Sequence, residues 1–168
     1  AGIKWQFSPK SSFALAYGVH SRMEKMDVYF VKTQGTGDRS VNKDLGFTRA
    51  HHVMLSYGFK ISDNMNMKIE PYFQQLYDVP VIADSSYSVL NRRDFYVENA
   101  LVNRGKGRNI GVDITLERYL NKGLYYMVTA SIFDSKYYGG DRKWRNTLYN
   151  RNFIVNVLGG KEWMVGRD

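Results

Sequence analysis

Between Arg108 and Ile132 the chain alternates apolar and polar residues almost without exception. Ile110, Val112, Ile114 and Leu116 occupy every second position, with Gly111, Asp113, Thr115 and Glu117 between them. A strand sends successive side chains to opposite faces, whereas a helix would place its apolar residues at i, i+3, i+4 and i+7. The period of two therefore predicts a strand with one apolar and one polar face. Tyr119 to Gly123 (YLNKG) reads as a short turn. The return alternates again, with Leu124, Tyr126, Val128, Ala130 and Ile132 opposed to Tyr125, Met127, Thr129 and Ser131. The segment is a predicted β-hairpin.

The same pattern recurs along the chain. Ile3, Trp5 and Phe7 alternate with Gly2, Lys4 and Gln6, and Ser8-Pro9-Lys10-Ser11 turns the chain into Phe13, Leu15, Tyr17 and Val19. Val53 to Ile61 and Met65 to Phe73 form another pair about Ser62-Asp63-Asn64. Pro71 is awkward there, because proline donates nothing to a ladder and is found at edges or bulges. A last strand is expected from about Tyr149 to Met164. The expectation is an all-β, antiparallel up-and-down meander of about seven strands. Its connections alternate between three tight turns (SPKS, SDN, YLNKG) and three long polar segments near 21–48, 77–104 and 137–148. In a meander this sorts every tight turn to one rim and every long connection to the other, the asymmetry of an outer-membrane β-barrel. Trp5, Phe7, Phe59, Tyr119, Tyr125, Tyr126 and Trp163 collect near the tight turns, as a headgroup-level girdle requires. A soluble β-sandwich also alternates, but nothing in it sorts loops by length.

Composition changes this picture little. Thirteen Tyr and 15 Gly against 3 Pro favour pleated structure. A mean hydropathy of −0.44 is no objection to a membrane, since alternation hides the apolar face in the average. No apolar run is long enough for a transmembrane helix. Ala1 begins directly in a strand-like pattern, so no signal peptide is expected within these residues. The net charge of +8 raises the question of nucleic acid. However, Lys and Arg are scattered, with Arg104, Lys106 and Arg108 the densest group, and no nucleic-acid partner is expected.

Candidate chemistry is sparse. There is no cysteine, which excludes disulfides and thiolate metal sites. His51 and His52 are strand neighbours and point to opposite faces, leaving His20 as a possible companion for one of them. Gly105-Lys106-Gly107 lacks the spacing and the following helix of a phosphate loop. Asp113 and Glu117 share a face about 13 Å apart at ~3.3 Å per residue, beyond the reach of a paired-carboxylate hydrolase. Asp78, Asp134 and Asp141 fit no calcium loop, and no nucleophile elbow is present. No catalytic residue, metal or cofactor is expected, and the chain is not expected to be an enzyme. Function then falls to the faces and loops. Candidates for a water-filled lumen are His52, Lys60, Lys68, Glu70, Asp113, Thr115, Glu117, Asn152 and Asn156. Candidates for ligand contact from the loops are Tyr87, Phe95, Tyr96, Tyr137, Tyr138 and Trp144. Gly37, Ser88 and Gly140 are expected to be reachable from outside the cell, and Pro9, Asn64 and Lys122 not.

Several stretches resemble the C-terminal barrel half of TonB-dependent outer-membrane receptors of the Bacteroidetes type. They are Val102 to Ser135 (VNRGKGRNIGVDITLERYLNKGLYYMVTASIFDS), AGIKWQFSPKSSFALAYG, HHVMLSYGFKISDNMNMKIEPYFQQLYDVPV and YNRNFIVNVLGGKEWMVG. The resemblance is spread over the whole chain and over many small matches. It implies that residues 1–168 are part of a large barrel of about 22 strands, with the plug domain and the last strands lying outside them. It further implies residence in the cell outer membrane, contact with its lipid, and TonB acting through the plug. The implied function is energised uptake of a scarce nutrient, such as an iron chelate, a cobalamin or an oligosaccharide. The competing readings are a soluble sandwich or lipocalin-like ligand-binding module, and a purely structural outer-membrane barrel.

Overall fold

A computed structural model describes residues 1–32, 40–92, 98–163 and 165–166. The strands are β1 (Gly2–Ser8), β2 (Ser11–Arg22), β3 (Thr48–Ser62), β4 (Met65–Val81), β5 (Val102–Asn121), β6 (Leu124–Tyr138), β7 (Trp144–Asn146) and β8 (Phe153–Lys161). They form one antiparallel sheet in sequence order. The only helical pieces among the described residues are Met26–Tyr29 and a 3-10 turn at Val89–Asn91. The meander is as expected, but the seventh lane is divided. β7 pairs with the loop end of β6 at Lys136–Tyr138, and β8 pairs with its remainder from Leu124 to Ile132. Between them the chain loops out, held to β6 where Thr147 N–H donates to Ser135 O (3.0 Å) and Phe133 N–H to Asn152 O (2.8 Å). The last strand is thus shorter than Tyr149 to Met164.

The tight turns are as sharp as the pattern predicts. β5 runs on to Asn121, so the turn proper is Lys122-Gly123, with φ of 51° and 75°. Two consecutive left-handed residues match the natural twist of a two-residue hairpin, and glycine adopts that conformation without strain. All three hairpins shift register beside their turns, at Trp5/Ser8, Lys60/Ser62 and Arg118/Asn121.

Pro71 is neither at an edge nor at a register shift. It lies in a central strand opposite Val112 of β5. On the β3 side the register carries past it unchanged from Met54↔Tyr72 to Tyr57↔Ile69, with the two rungs between them unpaired. The ladder accommodates the missing N–H by skipping rungs rather than by bulging.

Face assignment follows from the register, since directly opposed residues share a face. Trp5, Phe13, Tyr57, Ile69, Ile114, Ala130 and Val155 make one continuous apolar row across all seven lanes. Parallel rows contain Ile3, Leu15, Val112 and Ile132, then Phe59, Met67, Leu116 and Val128. Among the described residues no second sheet covers this face: Ile3, Ile132 and Phe153 are 64–68% exposed. That is not a sandwich. The apolar rows end at Arg108 on one side and Arg118 on the other, ten positions apart on β5. Ten residues at ~3.3 Å each is about 33 Å along the strand, and a tilt of about 40° brings it to about 25 Å, the height of a lipid-facing band.

The buried core lies elsewhere, among the long connections. Val28, Val31 and Leu101 form it, with Val41, Leu45, Ile82, Tyr87 and Val89 packed around them. The segments that read as polar loops therefore build a small apolar knot at the long-connection end.

Candidate functional site

The polar face of the sheet carries ladders of its own. Lys68, Thr115, Thr129 and Asn156 stand opposite one another in a single row, continued by Gly58 and Ser12. Asn156 donates to Thr129 Oγ1 (3.3 Å), and Lys68 Nζ reaches Glu70 at 2.9 Å. Glu70 faces Asp113, and Asn66 faces Glu117. Nearer the long connections, Asn109 Nδ2 donates to Gln74 Oε1 (2.7 Å), Ser135 donates to Asn109 Oδ1 (2.6 Å) and Thr147 donates to Ser135 Oγ (3.0 Å). This chain of hydrogen bonds crosses four segments of one face. Sequence reasoning missed Gln74, Asn109 and Ser135; each sits at the polar parity of its strand, which is the signal that would have found them.

At the tight-turn end the polar face encloses a hollow of about 400 Å³. Lys4, Lys10, Lys60 and Lys68 line it together with Thr115, and Glu117 is the one carboxylate in its wall. The hollow is cationic and open, without the convergent nucleophile and base that catalysis needs.

The sequence-derived candidates are distributed as follows. His52, Lys60, Lys68, Glu70, Asp113, Thr115, Glu117 and Asn156 share the polar face by register. Asn152 lies just ahead of β8 with φ 67°, so strand parity does not extend to it. His51 turns to the apolar side, where Tyr17 Oη and His51 Nδ1 are 2.7 Å apart and the imidazole stacks on Tyr77. His20 meets His52 edge-on across the polar face, with ring centroids 6.2 Å apart. Among the described residues no three His, Cys, Asp or Glu side chains group to hold a metal ion.

Among the described residues the loop aromatics fall in separate places, apart from the Tyr138–Trp144 pair. Tyr87 packs on the apolar knot and Tyr137 is buried. Tyr138 and Trp144 lie opposite each other on the apolar side of the sheet. Phe95 and Tyr96 lie outside the described residues, as does Gly37. Ser88 is 1% exposed, which corrects the expectation that it is reachable: its hydroxyl caps the 3-10 turn by accepting from Leu90 N–H. Gly105-Lys106-Gly107 is plain strand; Gly107 has no side chain because Leu90, from that 3-10 turn, packs where a Cβ would stand.

What the long connections do build is a tied cap. Asn42 is 1% exposed and bonds in three directions: it donates to Val28 O and to Asn99 O (both 3.0 Å) and accepts from Leu101 N–H (2.8 Å). Asn103 accepts from Gly46 N–H (2.9 Å) and donates to Asp78 O (2.6 Å). Arg92 pairs with Asp27. The third connection joins through Leu148 N–H to Asn91 Oδ1 (2.6 Å) and Asp141 N–H to Ser85 O (3.0 Å). Asp141 also receives both guanidinium nitrogens of Arg145. That fork holds the Asp141 carboxyl below its ordinary range and raises Arg145 above its own.

No family model matches the chain, and no curated protein does. Among solved structures, the chain is similar to the FrpB iron transporter from Neisseria meningitidis (F3-3 variant), at 18% identity and a TM-score of 0.59. The match covers 84% of this chain and 20% of that one. This chain therefore spans about a fifth of the transporter's length, and what the two share is a segment of the same β-barrel fold.

Proposed function

We propose that this chain is part of the barrel of an outer-membrane TonB-dependent receptor that takes up a scarce nutrient. The observation that carries this reading is the apolar face: continuous across seven lanes, uncovered among the described residues, and bounded by Arg108 and Arg118 about 25 Å apart once strand tilt is applied. A soluble monomer tolerates an exposed apolar patch of only a few hundred Å². The sorting of tight turns and long connections to opposite ends supports the same orientation, with the tied cap facing outward. The likeness to an iron transporter supports uptake in general and favours an iron chelate among the nutrients considered. The Bacteroidetes assignment rests on the motif resemblance alone.

In this reading the polar face lines the lumen, with His52, Lys60, Lys68, Glu70, Asp113, Thr115, Glu117 and Asn156 in contact with water or with the plug. TonB acts on the plug from the inner membrane, and outer-membrane lipid meets the apolar rows. The test uses the parent protein. It is expected to fractionate with the outer membrane, to need detergent for solubility, and to accumulate a radiolabelled iron chelate only when TonB is present. A parent protein that is monodisperse in detergent-free buffer overturns the membrane assignment; TonB-independent accumulation overturns the energised mechanism.

A further inference from the structure

Immediately beyond the apolar rows, at the long-connection end, the same outer face turns cationic and aromatic. Arg108 and Lys136 stand opposite each other in the first rung past Ile110, and Lys106, Tyr138 and Trp144 stand in line in the next. Arg49, opposite Tyr77, flanks these rungs from β3. The rings form a platform: Tyr138 and Trp144 are 5.4 Å apart, the Lys106 ammonium lies 5.9 Å from the Tyr138 centroid, and the Arg108 guanidinium 5.5 Å from the Trp144 centroid. Cations resting on ring faces are held in place at little loss of hydrogen-bonding capacity. Two acids face them. Asp134 lies 3.3 Å from Lys136 and 3.9 Å from Arg108, and Asp78 lies 3.9 Å from Arg49. Four cations against two carboxylates leave the belt with a net positive charge of two. At the opposite boundary the same face offers Arg118 and Lys161.

We propose that this belt binds the phosphate groups of a membrane-lipid headgroup in the leaflet next to the long connections. The inference rests on the reading of the apolar face as lipid-facing. A phosphate there sits at the level where hydrocarbon gives way to water, one rung above Ile110. Arg108 meets it with a planar fork suited to phosphate oxygens, and Lys106 and Lys136 with point charges. Trp144 and Tyr138 suit the same interfacial level, with apolar bodies toward the acyl chains and polar tips toward water. An acidic partner protein would also meet positive charge. It does not explain why the cations lie on the lipid-facing side, in register with the end of the apolar rows.

The test reconstitutes the parent protein into vesicles of the phosphate-free lipid digalactosyldiacylglycerol, doped with phosphatidic acid or with lipid A. Retained lipid is then counted by native mass spectrometry. Retention of either phosphate-bearing lipid is expected to fall roughly 30-fold in a R108Q/K136Q variant, at about a factor of five per interfacial cation. It is expected to survive in R108K/K136R, which keeps the charge, and in K60Q/K68Q, whose changes lie on the polar face. Dephosphorylated lipid A is expected to be retained by none of them. Equal retention of phosphorylated and dephosphorylated lipid overturns the proposal, as does an unchanged R108Q/K136Q variant or capture of an acidic protein in place of lipid. A parent protein that inserts into vesicles but ignores phosphate overturns the belt alone, whereas one that inserts into no vesicle overturns the membrane reading beneath it.

Discussion

Asn42 and Leu101 are 59 residues apart in sequence, and the side chain of the first accepts the backbone N–H of the second at 2.8 Å inside a buried cluster. Two more bonds run from the same amide to the carbonyls of Val28 and Asn99. One side chain thus closes the first long connection onto the second.

Replacing Asn42 by Ala strands that N–H and two carbonyls away from water, at a cost of about 1–3 kcal/mol for a buried polar group left unpaired. The cost is local, because the strand ladders do not depend on Asn42. Hydrogen exchange in the parent protein is expected to speed up at Leu101 and leave the ladder amides of Ile114 and Val128 unchanged. Uniform acceleration across the sheet contradicts this.

The faces of the sheet were legible because strand parity is local: Ile114 and Thr115 declare opposite sides by adjacency alone. The tied cap was not. Val28, Val31, Leu45 and Leu101 follow no period, and each is buried by partners from another connection. Asn42 reads as an ordinary loop amide until the segment near Leu101 is brought beside it. Strand length was also hidden, since β4 and β5 extend to Val81 and Val102. There one face of β5 is closed by Gly105 against Val79 and Val81 and by Gly107 against Leu90, while Arg104 and Lys106 on the other face are exposed, and the alternation that marks a strand lapses. The divided seventh lane is equally non-local, because β7 and β8 are defined by their shared partner β6.

Ile114 and Thr115 provide the test of face. Arg at Ile114, between Ile69 and Ala130 in the apolar row, is expected to cost about 2–4 kcal/mol in the parent barrel. Arg at Thr115, in the wall of the polar hollow, is expected to cost much less. Urea titration of the two variants in detergent or lipid decides, and equal costs overturn the assignment.

Gly140 marks where the third connection docks. A Cβ there would stand 1.9 Å from the carbonyl oxygen of Ile82, so backbone must shift to admit one. Gly46 is the contrast, its nearest neighbour being Asn103 Oδ1 at 3.8 Å. Gly140→Ala is expected to free the 139–152 segment for limited tryptic cleavage at Arg142 or Lys143, and Gly46→Ala to leave the digest pattern unchanged. Identical digests for the two variants contradict the docking.

Asp141 gives the cap a pH dependence of known sign. The Arg145 fork lowers the carboxyl below its unfolded value, so the pairing contributes fully at pH above the ordinary carboxylate range. It is lost only as pH falls through the lowered folded value. Exchange at the Asp141 amide, which bonds Ser85 O, is expected to stay protected through mildly acidic pH and to open below it. Asp141→Asn is expected to flatten that profile, and a wild-type profile that opens on going alkaline contradicts the assignment.

Orientation is tested from outside the cell. The chain has no cysteine, so each introduced thiol reports alone within these residues. Ser88 is unsuitable, being buried under its own turn, but Ser86 two residues earlier is exposed. An impermeant maleimide applied to intact cells is expected to label Ser86→Cys, in the second long connection. Lys122→Cys, at the Lys122-Gly123 turn, and Asn64→Cys, between β3 and β4, are expected to react only after the outer membrane is permeabilised. In this orientation the second long connection leads into β5 (Val102–Asn121) on one side of the bilayer and the Lys122-Gly123 turn leaves it on the other, so Ser86 and Lys122 together decide it. Labelling at Lys122 on intact cells, with none at Ser86, reverses the topology and places the tied cap in the periplasm.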